Sequence, residues 1–308
     1  MIWSSDLVTV KMSAKQVIQK VFHLMGYHVT RRKSLQSGSD SALPPLFDDP
    51  LEALCYQQGG KAAAFRCPLK YVVKSNALSY SPDGWHPFVA TLREYAAGES
   101  TGYEDSVLRQ FYETHQPENA AEAIAGFDQA PSDYENHPAH VYRLRPWRSR
   151  AADWVDQNVR NWSELDAREH GRSEHDWSFD EDGYQFHGPV SERIGRLEYQ
   201  RLTDIYERLK AEGYDRTRGH AHFQVLRRDG ECCFLNCGSG SHRTAAMAAL
   251  GHKTIPAVFT KNHVVDVEMV EYWPQVRRGV WTKEQAEAYF NHLFDFESKS
   301  WARERGLL

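Results

Sequence analysis

The C-terminal third of the chain has the clearest alternation of apolar and polar positions. Apolar side chains recur at helical spacing over residues 197–212, and Gly213 ends the pattern, so an amphipathic helix is predicted there. Residues 221–227 and 231–237 alternate as strands do, and the Asp229-Gly230 pair between them is typical of a hairpin turn. This third of the chain is therefore expected to combine helices with a sheet.

A glycine-rich stretch follows the second of these strands. It leads into an alanine-rich helix predicted from about Arg243 to Leu250, and a further strand is predicted over residues 254–259. The first turn of a helix carries free backbone N–H groups and a partial positive charge, which suits an anion. Gly238 and Gly240 allow close approach of a phosphate, and the Arg243 fork matches its oxygens.

The N-terminal half has a weaker and mostly helical pattern. Residues 85–127 carry apolar groups at helical spacing. Residues 13–26 also form an amphipathic pattern, with basic side chains around it that continue to residue 33. Two interpretations stay open for this basic segment: a core-facing helix with solvated lysines, or peripheral contact of residues 13–33 with an anionic membrane surface.

Charge divides the chain into three blocks. Residues 1–159 carry 16 basic and 18 acidic side chains, residues 160–182 carry 3 and 8, and residues 183–308 carry 18 and 16. We therefore predict a mostly helical N-terminal region of unknown role, an acidic linker or loop over 160–182, and a C-terminal domain. A surface loop inside one domain is an equally good interpretation of the acidic block.

Composition excludes several classes of protein. No apolar run in the 308 residues reaches the ~18–20 residues that span a bilayer, and the first residues lack the order of a signal peptide. Five cysteines without a CxxC pair argue against a disulfide framework and against a structural zinc site. The net charge of −5 argues against DNA binding. A cytoplasmic location is predicted, with the inner membrane surface as the alternative.

Two stretches in the C-terminal third resemble a known family. Residues 240–246 read GSHRTAA and residues 249–256 read ALGHKTIP, and the preceding helix ends with ERLKAEGY. Together they resemble the ParB/sulfiredoxin superfamily over about residues 183–262. The resemblance implies an α/β (α+β) fold, in which a ParB/sulfiredoxin-like nucleotide-binding domain over 183–308 follows a mostly helical N-terminal extension.

Members of this superfamily hold a nucleotide polyphosphate at the turn. Sulfiredoxins use a Cys where this chain has Ser241, and ParB proteins carry a helix-turn-helix domain that is not evident after residue 262. The Ser241-His242-Arg243 sequence at the turn is nearest to that of the ParB-like free-serine kinases. The resemblance therefore implies an ATP-dependent kinase, with CTP as the alternative nucleotide, acting on a small hydroxyl compound or a saccharide. A ParB-like CTP- or ATP-binding switch without kinase activity is the second hypothesis.

Site residues follow from the turn and from its neighbours. We predict that the nucleotide is bound by the turn and the start of the helix, which comprise Gly238, Ser239, Gly240, Ser241, His242, Arg243 and Thr244. His242 and Arg243 are also predicted to be catalytic, and Glu198 is predicted to be the general base.

Further contacts are assigned to the substrate and to Mg²⁺. Arg201 lies one turn after Glu198, and His220 and His222 face the same side of a strand, so these three are predicted to contact substrate. Mg²⁺ prefers oxygen ligands and keeps several waters, and the candidate carboxylates are Glu192, Glu198 and Asp204. Of these, Glu192 is predicted to bind the metal.

Overall fold

The computed structural model describes residues 43–171 and 176–308, with the backbone alone at 261–263. The helix predicted at 13–26 and the basic segment at 13–33 lie outside the described residues. Among the residues described, no helix is both long and apolar enough to cross a membrane.

Within the described residues, six strands form one mixed sheet. They are β1 (Leu46–Phe47), β2 (Ala64–Pro68), β3 (Val72–Val73), β4 (Ala221–Arg228), β5 (Glu231–Asn236) and β6 (Thr254–Asp266). Their order across the sheet is β1-β2-β6-β4-β5-β3. The pairs β1–β2, β4–β6 and β3–β5 are parallel, whereas β2–β6 and β4–β5 are antiparallel. The prediction of a mixed α/β protein is therefore confirmed.

Helices cover the sheet. The α-helices of the described residues are α1 (Pro50–Gln58), α2 (Pro87–Ala97), α3 (Val107–Thr114), α4 (Ala152–His170), α5 (Phe179–Asp182), α6 (Glu192–Glu212), α7 (Ser241–Ala249), α8 (Pro274–Arg277), α9 (Lys283–Asp295) and α10 (Ser298–Glu304). Helix α7 packs against both α2 and α6. Ala245 and Ala246 of α7 are fully buried, and their small side chains allow these helices to approach α7 closely.

The predicted elements of the C-terminal third are present. Helix α6 begins earlier than expected, because the Ser191 hydroxyl accepts a hydrogen bond from the backbone N–H of Ile194 and caps the helix there. The hairpin turns at Asp229 and Gly230, whose φ angles of 46° and 83° are those of a tight hairpin turn.

The structure divides the described residues differently from the predicted domains. The boundary at 159/160 lies inside helix α4, so residues 160–170 continue a helix rather than forming an acidic linker. The N-terminal region is not simply helical, because it supplies β1, β2 and β3 to the sheet that the C-terminal region completes. Residues 43–308 accordingly form one compact unit, with Phe65 of β2 stacked on Phe259 of β6.

Candidate functional site

The glycine-rich turn joins the end of β5 to the start of α7. Gly240 has a φ of 96°, and a Cβ placed on it would lie 2.7 Å from the backbone Cα of Ala221. A Cβ on Gly238 would lie 2.8 Å from Cβ of His222. Both positions are therefore confined to glycine by packing against β4, and the turn is held close to the sheet edge.

The N-terminus of α7 is uncapped. Gly240 occupies the N-cap position and has no side chain to offer. Thr244 is the first residue of the helix whose backbone N–H finds a carbonyl, that of Gly240 at 2.9 Å. In the described part of the chain, the N–H groups of Ser241, His242 and Arg243 have no acceptor. Three free donors at the positive end of a helix dipole make a strong site for an anion.

A cleft of about 780 Å³ opens in front of this helix start. Residues 238–243 line one side of the cleft. Helix α6 lines the other side and contributes the cationic side chains of Arg196, Arg201 and Arg208. The cleft therefore brings together most of the predicted nucleotide-binding residues in a predominantly cationic setting.

A chain of charged groups supports the wall of the cleft. The Nε2 atom of His242 lies 2.7 Å from Oε2 of Glu198. Arg201 Nη1 donates to Oε1 of Glu198 at 2.6 Å and to Asp166 at 2.7 Å. Glu198 is only 1% exposed and lies behind His242, which lines the cleft. Glu198 is therefore a buried carboxylate held between two side chains that line the cleft, the imidazole of His242 and the guanidinium of Arg201.

The environment of Glu198 makes it a poor proton acceptor. Burial alone would raise its pKa, but the charges of Arg201 and His242 and their hydrogen bonds lower the pKa to about 2. A carboxylate held ionised in this way orients its partners instead of taking a proton at neutral pH. The 1% exposure of Glu198 and its bonds to His242 and Arg201 favour a role in positioning His242 over the predicted role of general base.

His242 is the group suited to exchange protons. Burial, followed by the charge of Arg201, lowers its pKa below the ordinary value of 6.5, so the imidazole is neutral near pH 7. The ring stacks on Phe88 of α2 with centroids 5.2 Å apart. Because Nε2 is engaged with Glu198, Nδ1 is the ring nitrogen left to accept a proton.

Sequence reasoning missed Lys74, which comes directly after β3. Its Nζ donates to the hydroxyl of Ser241 at 3.0 Å and to Oδ1 of Asn236 at 3.3 Å. The Ser241 hydroxyl in turn donates to the same Asn236 oxygen at 2.8 Å. Parallel strands β3 and β5 end at the same sheet edge, which is why a lysine and an asparagine more than 160 residues apart meet there.

Two predicted nucleotide contacts are engaged elsewhere. Arg243 donates from its guanidinium to the carbonyls of Arg218, Gly219 and His220, so its side chain ties α7 to the chain before β4. Thr244 is fully buried and its hydroxyl donates to the Gly240 carbonyl at 2.8 Å. The side chain of Thr244 therefore does not face the cleft, which corrects its assignment.

Of the residues predicted to contact substrate or metal, Arg201 lines the cleft and the others do not. Arg201 lines the cleft, although Asp166 and Glu198 neutralise it. His220 and His222 lie beside the turn on β4 and its approach, and neither lines the cleft. These two assignments are therefore corrected.

Glu192 does not line the cleft either. It pairs with Arg196 at 3.0 Å and with Arg109 at 3.7 Å, which corrects its assignment as a metal ligand. Within residues 43–171 and 176–308, no group of three or more His, Cys, Asp and Glu side chains is arranged to hold a metal ion. Asp166 and Asp204 are the carboxylates that line the cleft. Since Mg²⁺ needs only one or two carboxylates beside phosphate and water, the exposed Asp204 is the residue that fits it.

Comparisons with known proteins add no relative to this picture. No protein-family model matches the sequence, and no curated protein and no solved structure shows significant similarity to the chain. The resemblance to the ParB/sulfiredoxin superfamily therefore stays a prediction from the residues of the turn, its helix and the strand that follows.

Proposed function

We propose that the protein is a nucleotide-dependent phosphotransferase that acts on a small hydroxyl compound. The observation that carries this proposal is the uncapped start of α7, whose three free N–H groups face a cleft beside a neutral imidazole. The resemblance of residues 240–256 to the ParB-like kinases points to the same chemistry. ATP is the expected donor, and CTP remains the alternative.

Each group has a defined task in the transfer. The N–H groups of Ser241, His242 and Arg243 hold the phosphates, and Nδ1 of His242 takes the proton of the acceptor hydroxyl. The acceptor oxygen forms a bond to the γ-phosphorus as the bond from that phosphorus to the nucleoside diphosphate breaks. Glu198 keeps the imidazole oriented and stabilises the positive charge that the ring gains.

Magnesium fits this site through few protein ligands. Asp204 lines the cleft on α6 with an exposed carboxylate, and its Oδ1 accepts a hydrogen bond from Gln200 at 2.6 Å. A bound Mg²⁺ would supply charge neutralisation of the phosphates. The Asp204 side chain would hold it together with phosphate oxygens and water.

A nucleotide panel tests the first half of the proposal. Thermal unfolding is recorded with ATP, CTP and ADP, each with and without Mg²⁺, because a ligand that binds the folded state raises its apparent stability. One triphosphate is expected to raise the melting temperature clearly. No rise with any triphosphate would overturn the proposal.

The second half is tested by His242→Asn. Transfer from the labelled nucleotide that binds is followed over a set of small hydroxyl compounds and sugars. The variant is expected to lose about 100- to 10,000-fold in rate while it keeps the nucleotide-induced thermal shift. His252→Asn, at an exposed histidine after α7, is the matched control. Nucleotide binding without transfer in the native protein would favour the switch hypothesis instead.

A further inference from the structure

Four cationic side chains gather behind the turn, and we refer to them as the cation cluster. They are Lys74, Arg143, Arg145 and Arg148. Arg143 ends the 3-10 turn Ala139–Arg143, and Arg145 and Arg148 follow it in the same short segment. The hydrogen bond from Lys74 Nζ to the hydroxyl of Ser241, at 3.0 Å, locates the cluster beside the turn.

The cation cluster has no acidic partner among the described residues. In the described ranges, no member lies within 4.0 Å of a carboxylate oxygen, whereas the partly buried Arg201 has two such partners. Arg143 donates to the hydroxyl of Tyr184 at 2.8 Å. Arg145 is only 5% exposed, and its Nε is buried without an acceptor in the described chain.

The remaining contacts of the cluster are with neutral groups. Lys74, 6% exposed, donates to Ser241 and Asn236 and lies 4.0 Å from the ring centre of Phe186. The guanidinium of Arg145 lies 6.0 Å from the ring of Trp147. Neutral hydroxyls, amides and rings solvate a cation only in part, so these contacts leave net positive charge in the interior.

The pKa values of Lys74 and Arg148 show the same deficit, whereas the pKa of Arg143 is raised, because Tyr184 and Tyr142 favour its charged form more than burial opposes it. Burial lowers the pKa of Lys74, and the charge of Arg143 lowers it further. Burial also lowers the pKa of Arg148 to about 9, and the charges of Arg145 and Arg143 add to this effect. Charged groups in protein interiors are normally paired, because an uncompensated buried charge is strongly destabilising. An anion placed among these four side chains would remove the penalty.

We propose that the cation cluster is a second anion site that binds a phosphate group, separate from the N–H groups at the start of α7. Three guanidinium forks and one amine match the charge and the several acceptor oxygens of a phosphate better than those of a single carboxylate. Lys74 joins the two sites, because the Ser241 hydroxyl that it contacts belongs to the first residue of α7.

In terms of the proposed function, on which this step rests, the bound phosphate belongs either to the acceptor or to the part of the nucleotide that is not transferred. An acceptor that already carries a phosphate would lie between its own anchor at the cluster and the phosphoryl group at α7. The anion site itself does not depend on catalysis.

The experiment is a calorimetric titration of the full chain with inorganic phosphate at constant ionic strength. The native protein is expected to bind two phosphates, and Arg145→Gln is expected to bind one, or to bind the second at least 10-fold more weakly. Arg148→Gln, at a partly exposed position, gives the same test should Arg145→Gln not fold. Arg150→Gln, on the same segment but stacked over Trp154 at 4.4 Å, is the matched control.

Binding of a single phosphate that neither Arg145→Gln nor Arg148→Gln weakens would overturn the second site. Because no nucleotide or acceptor is present, this result is independent of whether transfer occurs. Repeating the titration with the bound nucleotide saturating distinguishes the two sources. If phosphate still binds at the cluster, the cluster is assigned to the acceptor. If the nucleotide displaces that phosphate, the cluster is assigned to the nucleotide.

Discussion

Glu198 and Lys74 are both buried charges, but their surroundings differ in kind. Glu198 lies between the cationic Arg201 and the imidazole of His242, so its ionised form is stabilised. Lys74 has a hydroxyl, an amide and an aromatic ring for neighbours. Removing the charge of Glu198 should therefore lower the stability of the fold. The buried charge of Lys74, in contrast, lowers stability, and a bound anion would relieve this effect.

The first prediction concerns Glu198→Gln and the pH dependence of stability. The folded-state pKa of about 2 lies below the ordinary 4.5, so the stabilisation from Glu198 is fully present above pH 4.5 and is lost as the pH falls toward 2. The variant should lose about 3 kcal/mol of unfolding free energy at pH 7. Urea unfolding over a range of pH should show this difference shrinking below about pH 4.5.

Glu207→Gln provides the control for this measurement, because Glu207 is an exposed glutamate on the same helix. It should change the unfolding free energy by less than about 0.5 kcal/mol. A loss for Glu198→Gln that is small or independent of pH would contradict the depressed pKa.

At the residue scale, the sequence predicted neighbours better than roles. The spacing of Glu198 and Arg201 along one helix predicted their contact, and the box around His242 predicted its place at the turn. The role of Glu198 depends on its pKa, which is set by burial and by Arg201 together with His242, a residue 44 positions away along the chain. Lys74 and Arg145 had no sequence signal, because only the tertiary fold shows that they lack acidic partners.

At the element scale, the start of α7 depends on how the turn packs against β4. Gly240 combines a positive φ with a Cβ position that is already filled by Ala221. The packing of Gly240 against β4 therefore fixes where α7 begins. It also fixes the position of the free N–H groups of α7 relative to the sheet edge.

The second prediction compares Gly240→Ala with Gly251→Ala at the two ends of α7. Gly251 has a φ of 79° and open space around it, so its variant should lose about 1 kcal/mol from backbone strain alone. Gly240→Ala adds a collision with backbone and should lose at least about 1–2 kcal/mol more, together with nucleotide binding. Chemical unfolding and the thermal-shift panel measure both effects. Equal losses for the two variants would show that the turn can move away from β4.

Elements with strong local patterns were predicted well, and elements defined by their partners were not. Helix α6 and the β4–β5 hairpin follow from apolar spacing and from a turn pair that suits φ above zero. Strands β1 and β3 have only two residues each, which is too short for any periodicity to show. They are strands because β2 and β5 lie beside them.

At the scale of the whole molecule, the sheet cannot be divided at the predicted boundary. Strand β6 lies between β2 from the N-terminal region and β4 from the C-terminal region, and β3 covers the edge of β5. A unit made of residues 183–308 alone would lack β2 and β3, so one edge of β6 and one edge of β5 would be exposed. The faces of Phe234 and Phe259 that contact Phe65 would be exposed as well.

The third prediction follows from this arrangement. Residues 43–308 should unfold in one cooperative transition, whereas residues 183–308 expressed alone should have no stable tertiary structure, because two of their strands lose their partners. Thermal unfolding followed by near-ultraviolet circular dichroism, together with limited proteolysis, compares the two chains. A sharp transition in the shorter chain would restore the independent C-terminal domain.

Hydrogen bonds from the Arg243 side chain close a loop of the chain that runs from Arg218 to Arg243. Its guanidinium binds the carbonyls of Arg218, Gly219 and His220, so the hairpin, the glycine-rich turn and the start of α7 lie between two points that are clasped together. The conformational entropy of Gly238 and Gly240, which would otherwise oppose the ordering of the turn around a ligand, is lost when the protein folds. An anion that arrives at α7 therefore meets donors already in place, and little of its binding energy is spent on ordering the chain.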